Sequence, residues 1–100
     1  MNFNNRCYQL VSQIPKGKVS TYKGIANTLN TKAYRAVGNA MSNNPNLIIT
    51  PCHRVIKTDG SVGGYALGIT KKISLLINEG IAIQKGKVLD FEQYIYTFEY

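Results

Sequence analysis

Apolar residues recur at helical spacing near the start of the chain. The residues of this face are Phe3, Cys7, Leu10, Val11 and Ile14. Spacings of three and four residues place such side chains on one side of a helix. Pro15 follows directly, and because proline does not continue a helix, the pattern predicts a first helix that ends there.

Two shorter helices are predicted next, separated by a brief polar turn. The second covers residues 22–29, with Ser20 or Thr21 as its cap, and the third fits residues 33–42. Such a pair is typical of a helix-turn-helix, with the third helix as the recognition helix. Its small side chains allow close approach to a duplex but do not read bases in the major groove, so we expect weak sequence preference. The same small residues also suit a core helix, and both interpretations can hold together.

Turn-forming residues and short apolar runs follow the third helix. Residues 43–46 combine three asparagines with a proline and predict a loop, and residues 47–49 predict a short extended segment. Pro51 biases Thr50 away from helix, which predicts a turn over residues 50–53. The next segments are a predicted strand over residues 54–57, an Asp-Gly hairpin turn over 58–61, and a return strand or loop over 62–65.

A further helical face precedes the end of the chain. It consists of Ile69, Ile73, Leu76 and Ile77. Gly80 suits the position just after this helix. Residues 81–89 predict a small hairpin around Gly86, whereas residues 90–100 fit either a helix or a strand. The fold class predicted is mainly α with a small β element, a winged-helix-like helix-turn-helix domain.

Composition adds a strongly uneven charge to one small domain. The chain has 100 residues, of which 44% are apolar, enough for a single core. We expect no membrane association and no signal peptide, because no long apolar run is present. Residues 1–58 hold eight Lys or Arg and no acid, whereas residues 59–100 hold four Lys and five acids. This concentration makes nucleic acid the first candidate partner, a solvated basic surface being the alternative.

One cysteine lies in a setting that could make it reactive. Two cysteines, Cys7 and Cys52, do not indicate a disulfide framework, so we expect a reduced protein in the cytoplasm, or in the nucleus of a eukaryote. Cys52 lies between Pro51 and His53, and Arg54 follows. Nearby cations or a histidine favour the thiolate, although direct contact between Cys52 and His53 needs a turn or a bridging water. A buried structural cysteine is the alternative.

Other catalytic classes lack the residues that they require. One histidine and two distant cysteines do not supply the ligands of a zinc site. No glycine-rich phosphate loop is present, so we expect neither a metal nor a cofactor. Asp59 and Asp90 have no motif around them, and a Ser-His-Asp triad is not predicted.

Five segments match one known family in order and spacing. They are Pro15–Tyr22, Arg35–Met41, Asn44–Pro45, Pro51–Val55 and Leu75–Gly80. Over residues 3–80 the chain therefore resembles the active-site domain of the O6-alkylguanine-DNA alkyltransferases, also called methylated-DNA–protein-cysteine methyltransferases. Many members carry another domain ahead of this one, and we expect residues 1–100 to be a single domain without it.

The resemblance implies direct-reversal DNA repair by a helical domain with a small wing. The partner is double-stranded DNA containing O6-alkylguanine, bound as a monomer through the minor groove. The lesion-bearing guanine is flipped into a pocket, where a cysteine thiolate attacks the alkyl carbon in line and guanine leaves. The alkyl group stays on sulfur, so each molecule acts once.

The resemblance also implies a role for each matched residue. Cys52 is the nucleophile, His53 takes its proton through water, Glu79 stabilises the imidazolium, and Asn44 holds the turn. Arg35 fills the gap left by the flipped base. The other implied DNA-binding and base-flipping residues are Tyr22, Thr21, Ala36 and Gly38. The implied pocket residues are Val55, Tyr65, Ala66 and Met41.

Ordinary structural roles are open for several of these residues. Glu79 could be a helix-surface acid, Tyr22 a core residue, Arg35 a phosphate-binding charge and Asn44 a turn residue. Residues 66–68, Ala-Leu-Gly, depart from the family, which often has Ser or Arg followed by Trp or Gly. The departure removes a side-chain donor to the guanine, and we expect it to reshape the pocket mouth and alter the substrate range.

Two rival functions fit parts of the sequence. Alkyltransferase-like proteins are single domains of about this length that bind alkylated DNA without repairing it. They typically carry Trp at the position of Cys52, so Cys52 and Glu79 argue against this function. A winged-helix regulator with a structural cysteine would prefer an operator and would not respond to a lesion.

Overall fold

Three helices come first in the computed structural model, which describes residues 2–98. They are α1 (Phe3–Val11), α2 (Tyr22–Thr28) and α3 (Tyr34–Ser42). The Thr21 hydroxyl accepts the Gly24 amide at 2.8 Å, so Thr21 rather than Ser20 caps α2. The predicted helix-turn-helix is confirmed as α2, a short turn and α3.

The first helix ends earlier than predicted. The amides of Gln13 and Ile14 donate to carbonyl oxygens three residues back, so the chain tightens after Val11 before it reaches Pro15. Ile14 is nevertheless only 1% exposed. The apolar spacing therefore identified a buried side chain correctly and placed the helix end wrongly.

Two small sheets complete the architecture. The strands β1 (Ser20–Thr21) and β2 (Val55–Ile56) pair in parallel, with Ser20 opposite Val55. The strands β3 (Ile83–Gln84) and β4 (Lys87–Val88) form the predicted antiparallel hairpin. Its turn residues, Lys85 and Gly86, both have positive φ, as tight hairpin turns require. The mainly helical fold with a small β element is confirmed.

Several predicted segments differ in the structure. Residues 47–49 form a turn rather than an extended segment, because the Asn46 side chain accepts the amides of Ile48 and Ile49 at 3.1 Å. The predicted strand over residues 54–57 is shorter, since only Val55–Ile56 pairs. Residues 62–65 form the loop alternative.

The last long helix, α4 (Ile69–Asn78), ends as predicted, but only part of its predicted apolar face is buried. Gly80 has φ +90°, and its amide and that of Ile81 cap the helix end on the carbonyls of Ile77 and Leu76. The buried residues are Lys72 and Leu76, whereas Ile77 is 51% exposed. The predicted apolar face is therefore wrong at its edges.

The end of the chain is neither a regular helix nor a paired strand of several residues. A 3₁₀ helix spans Phe91–Tyr94, and Ile95 then forms a single parallel bridge to Val19. The last two residues of the predicted tail, 99 and 100, lie outside the described residues. None of the helices within residues 2–98 is long and apolar enough to cross a membrane.

The buried side chains form two clusters that meet at the β1–β2 pair. The first cluster lies among α1, α2 and α3 and includes Cys7, Cys52 and Val55. The second lies beneath α4 and the β3–β4 hairpin and includes Ile56 and Leu76. Each large aliphatic side chain buried in this way contributes about 1.5–3 kcal/mol. Because Val55 and Ile56 are neighbours in β2, packing in the two clusters fixes the position of the strand that directly follows Cys52–Arg54.

Candidate active site

Cys52 begins a short 3₁₀ helix, Cys52–Arg54, directly after Pro51. The Thr50 carbonyl oxygen fixes its start, accepting the Cys52 amide at 2.8 Å and the Asn44 side-chain amide at 2.7 Å. Cys52 is only 4% exposed. Asn44 therefore holds the turn that carries the cysteine, and the turn keeps the thiol close to the core.

Glu79, at the C-terminal end of α4, accepts hydrogen bonds from two side chains of this turn. His53 Nε2 lies 2.9 Å from Glu79 Oε2. Arg54 donates to both carboxylate oxygens, from Nε at 2.9 Å and from its terminal nitrogen at 2.7 Å, and also to the Ile14 carbonyl oxygen at 2.7 Å. The carboxylate thus locks His53 and Arg54 together on the buried side of the turn.

The local electrostatics define which nitrogen of His53 carries the proton. Burial tends to raise the pKa of Glu79, but the hydrogen bonds from Arg54 and His53 outweigh it and hold that pKa below its ordinary value. Burial lowers the pKa of His53, against the opposing effect of Glu79. An ionised carboxylate only accepts, so Nε2 of the neutral ring donates to Glu79 and Nδ1 is left as an acceptor.

The acceptor nitrogen of His53 is the one buried side-chain polar atom that has no hydrogen-bond partner within residues 2–98. Leaving such a group unpaired costs about 1–3 kcal/mol. The Tyr65 ring packs edge-on to the imidazole with centroids 6.3 Å apart, which closes another side of the ring. His53 therefore holds an unused proton-acceptor site next in the chain to the cysteine.

Lys72 is a functional candidate that sequence reasoning missed. It is fully buried, and its Nζ donates to the carbonyl oxygens of Val55 at 2.7 Å and Gly64 at 3.0 Å. It also lies 5.9 Å from the centroid of the Tyr22 ring. Burial lowers its pKa to about 8, although the neighbouring Cys52 opposes the shift. The only sequence signal was its position on the inner side of an otherwise apolar helical face.

An open cavity of about 520 Å³ connects the cysteine turn with α3. Its lining residues are Tyr22, Arg35, Gly38, Asn39, Met41, Ser42, Cys52, Lys57, Gly64, Tyr65 and Ala66. Four of these recur on α3 at spacings of three and four residues, namely Arg35, Gly38, Asn39 and Ser42. The opposite face of α3 is buried at Val37 and Ala40, and Met41 is both buried and part of the cavity lining. One helix therefore serves both the core and the cavity.

The structure separates the predicted site residues into a lining group and a supporting group. Seven of them line the cavity: Tyr22, Arg35, Gly38, Met41, Cys52, Tyr65 and Ala66. His53, Glu79 and Asn44 support the Cys52 turn through their hydrogen bonds and do not line the cavity. Thr21 caps α2, and Ala36 does not line the cavity either. Val55 is fully buried and offers its carbonyl to Lys72.

Some residues depart from the expected site. Leu67, expected to reshape the pocket mouth, is 59% exposed and does not line the cavity. Lys57 does line it, and sequence reasoning did not single it out. Among the described residues no three His, Cys, Asp or Glu side chains are grouped so as to hold a metal ion.

A family model described as "6-O-methylguanine DNA methyltransferase, DNA binding domain" matches residues 2–81. The chain belongs to this family. The resemblance carried by the five segments is thereby confirmed.

Two curated relatives give the extent of the match. The methylated-DNA–protein-cysteine methyltransferase of Sulfolobus acidocaldarius is 51% identical over 83 residues, which cover 83% of this chain and 52% of the relative. A bifunctional methyltransferase/endonuclease of Picrophilus torridus is 47% identical over 88 residues, 87% of this chain and 29% of the relative. The chain therefore spans about half of the first relative and less than a third of the second.

Solved structures include both transferases and an alkyltransferase-like protein. Mycobacterium tuberculosis OGT in complex with DNA has a TM-score of 0.77 and 41% identity, and the match covers 80% of this chain and 49% of that one. Schizosaccharomyces pombe ATL in complex with DNA has a TM-score of 0.81 and 31% identity, with 95% of this chain and 94% of that one covered. Identity is higher to the transferase, and coverage is more complete with ATL.

Proposed function

We propose that this protein repairs DNA by removing the alkyl group from O6 of guanine and keeping it on Cys52, once per molecule. The observation that carries the proposal is the unpaired, buried Nδ1 of His53, which Glu79 sets as an acceptor in the residue that directly follows the buried Cys52. Family membership and relatives named as methyltransferases support it. We also propose that residues 1–100 fold as one domain, and that the protein acts as a monomer in the compartment that holds the DNA.

In this proposal the thiol proton of Cys52 passes to His53 Nδ1, directly or through one water molecule. The imidazolium that forms is stabilised by the Glu79 carboxylate, which Arg54 holds in place. The sulfur then attacks the alkyl carbon, the carbon–O6 bond breaks, and its electron pair leaves on the guanine oxygen. The guanine anion takes up a proton from water at N1, which restores the 6-oxo base. The product is a thioether on Cys52, and its formation ends the activity of that molecule.

The exposed face of α3 is the proposed DNA-binding surface. Gly38 leaves open space at its surface, because nothing lies within 4 Å of a methyl group placed there. A helix face whose side chains protrude so little can approach the minor groove closely. Flipping the lesion base costs a few kcal/mol, and we propose that Arg35 replaces the extruded base in the stack while Tyr22 contacts the flipped nucleotide.

An alkyltransferase-like function is the second candidate, favoured by the 95% and 94% mutual coverage with S. pombe ATL. The two functions differ in whether the lesion disappears. With duplex containing O6-methylguanine in excess, we expect the number of lesions lost to equal the number of protein molecules and then to stop. The Cys52→Ser variant should remove none, whereas the Cys7→Ser control should retain the activity. Tight lesion-selective binding without loss of lesions would contradict the proposal and support the second candidate.

A further inference from the structure

The cavity that holds Cys52 carries one positive charge, that of Lys57, to which the proposed reaction gives no role. Lys57 and Arg35 are its two cationic lining residues, and no Asp or Glu lines it within residues 2–98. Lys57 directly follows β2, on the side of the cavity formed by Gly64 and Tyr65. The ammonium of Lys72 donates to the carbonyl oxygen of Gly64, which lines this side of the cavity.

The stem of Lys57 runs close to the hydroxyl group of Tyr22. A methyl group placed on Gly63 would lie 3.5 Å from Lys57 Cγ and 3.4 Å from the Tyr22 hydroxyl oxygen. The charge of Lys57 also contributes to lowering the pKa of the buried Lys72. Within the described part of the chain, no carboxylate oxygen lies within 4 Å of the Lys57 ammonium. The acid on which its charge acts is Asp59, which is exposed and does not line the cavity.

We propose that Lys57 is a specificity-determining residue that favours O6-alkylguanines whose alkyl group ends in a carboxylate, of which O6-carboxymethylguanine is the simplest. A lysine is a compact charge on a flexible stem, so its ammonium can follow an anion within the cavity. This inference rests on the proposed function. The transfer itself is unchanged: the sulfur–carbon bond forms, the carbon–O6 bond breaks, and Cys52 becomes S-carboxymethylcysteine.

Lys57 could bind either of two anions, a carboxylate on the lesion or a phosphate of the DNA backbone. The following experiment distinguishes them. Single-turnover rates are measured at fixed salt on two duplexes that differ only in O6-carboxymethylguanine or O6-methylguanine. Two unit charges 4 Å apart in water attract by about 1 kcal/mol, which corresponds to about fivefold in rate. We expect Lys57→Gln to lower the carboxymethyl-to-methyl rate ratio by about that factor, and Lys57→Glu to lower it further.

Lys32→Gln is the matched control, because it removes the same charge from the turn between α2 and α3, outside this cavity. It should leave the ratio unchanged. Equal losses on both duplexes in Lys57→Gln would make Lys57 a phosphate contact and overturn the inference. Wild-type transfer from the methyl lesion but not from the carboxymethyl lesion would also overturn it. Failure with both lesions would refute the proposed function, and the inference with it.

Discussion

At the scale of single residues, Glu79 connects the proton acceptor to the rest of the fold. Its carboxylate holds both His53 and Arg54, and Arg54 in turn bonds to the Ile14 carbonyl oxygen at the end of the first helical segment. A neutral group at position 79 would leave the guanidinium without its charged partner and the imidazolium without stabilisation. The role of Glu79 is therefore electrostatic as well as orienting.

Glu79→Gln should slow alkyl transfer by about 100-fold, the lower limit typical of a lost acid–base contribution. Because Glu79 works to raise the pKa of His53, its loss should lower that pKa. The rise of rate with pH, which follows loss of the His53 proton, should therefore shift to lower pH. The rate is measured from pH 5.5 to 9 with free O6-benzylguanine, which avoids any effect on DNA binding. Glu92→Gln, at an exposed acid, is the control. An unchanged pH–rate profile would contradict the assignment.

At the scale of elements, α3 combines a buried face with an exposed face of small residues. Gly38→Ala should raise the free energy of unfolding by about 0.5–1 kcal/mol, because glycine weakens a helix interior. The methyl group of the new alanine would point into open space and meet no neighbour. The same methyl group would stand between α3 and the duplex, so DNA affinity should fall. Urea unfolding and fluorescence anisotropy measure the two effects.

Ser74→Ala in α4 is the control for that variant, since it also favours a helix at an exposed position away from α3. It should increase stability and leave DNA affinity unchanged. If Gly38→Ala behaved in the same way, α3 would not be the DNA-binding surface. The small residues of α3 would then be explained by packing in the core alone.

Lys72 links α4 to β2 and to the loop at Gly64, and its burial makes stability depend on pH. Its folded pKa, about 8, lies below that of an unfolded lysine, so the unfolded chain binds more protons between about pH 8 and 10. Stability contributed by this group should therefore rise with pH in that window, by about 1.4 kcal/mol per unit. Denaturant unfolding of the wild type and of Lys72→Met, compared at pH 8 and pH 9, isolates this contribution. A constant difference between the two proteins would contradict it.

The elements that the sequence predicted correctly are those with strong local signals. Helical spacing revealed α1 to α4, Gly86 marked the hairpin, and Pro51 marked the turn before the cysteine. The β1–β2 pair was missed because each strand has two residues and its partner lies far away in the chain. Lys72 was missed because its burial depends on carbonyl groups supplied by two other segments. The turn at residues 47–49 depends on a side chain, Asn46, that competes with extended structure.

The sequence predicted which residues belong to the site, but not all of the contacts between them. The family resemblance brought together Cys52, His53 and Glu79, but it did not indicate that Arg54 shares the carboxylate. Sequence spacing alone cannot show this, because the contact joins a turn to the end of a helix. Lys57 likewise became a candidate only when the cavity was defined.

At the scale of the whole molecule, the charge is concentrated where DNA is proposed to bind. Residues 1–58 carry eight Lys or Arg and no acid, and they include α2, α3 and the cysteine turn. Neutralising phosphates releases counterions, so binding to duplex should weaken steeply as salt rises. We expect the dissociation constant to increase more than about tenfold between 50 and 200 mM salt.

The reaction with free O6-benzylguanine should be almost insensitive to the same change, because that substrate has no phosphates. Comparing transfer from duplex and from the free base across this salt range separates the DNA-binding surface from the chemistry. Equal salt dependence in the two reactions would show that the basic surface does not act through DNA. It would favour the solvated-surface alternative for the uneven charge.

The central claim is that Cys52 itself becomes the alkyl acceptor. Intact-protein mass spectrometry after incubation with a duplex containing one O6-methylguanine, followed by peptide mapping, tests it most directly. We predict a gain of one CH₂ group that maps to Cys52, with none on Cys7, whose burial raises its pKa to about 11 and keeps it as an unreactive thiol. An unmodified protein that still binds the lesion tightly, or a methyl group on any other residue, would contradict the account.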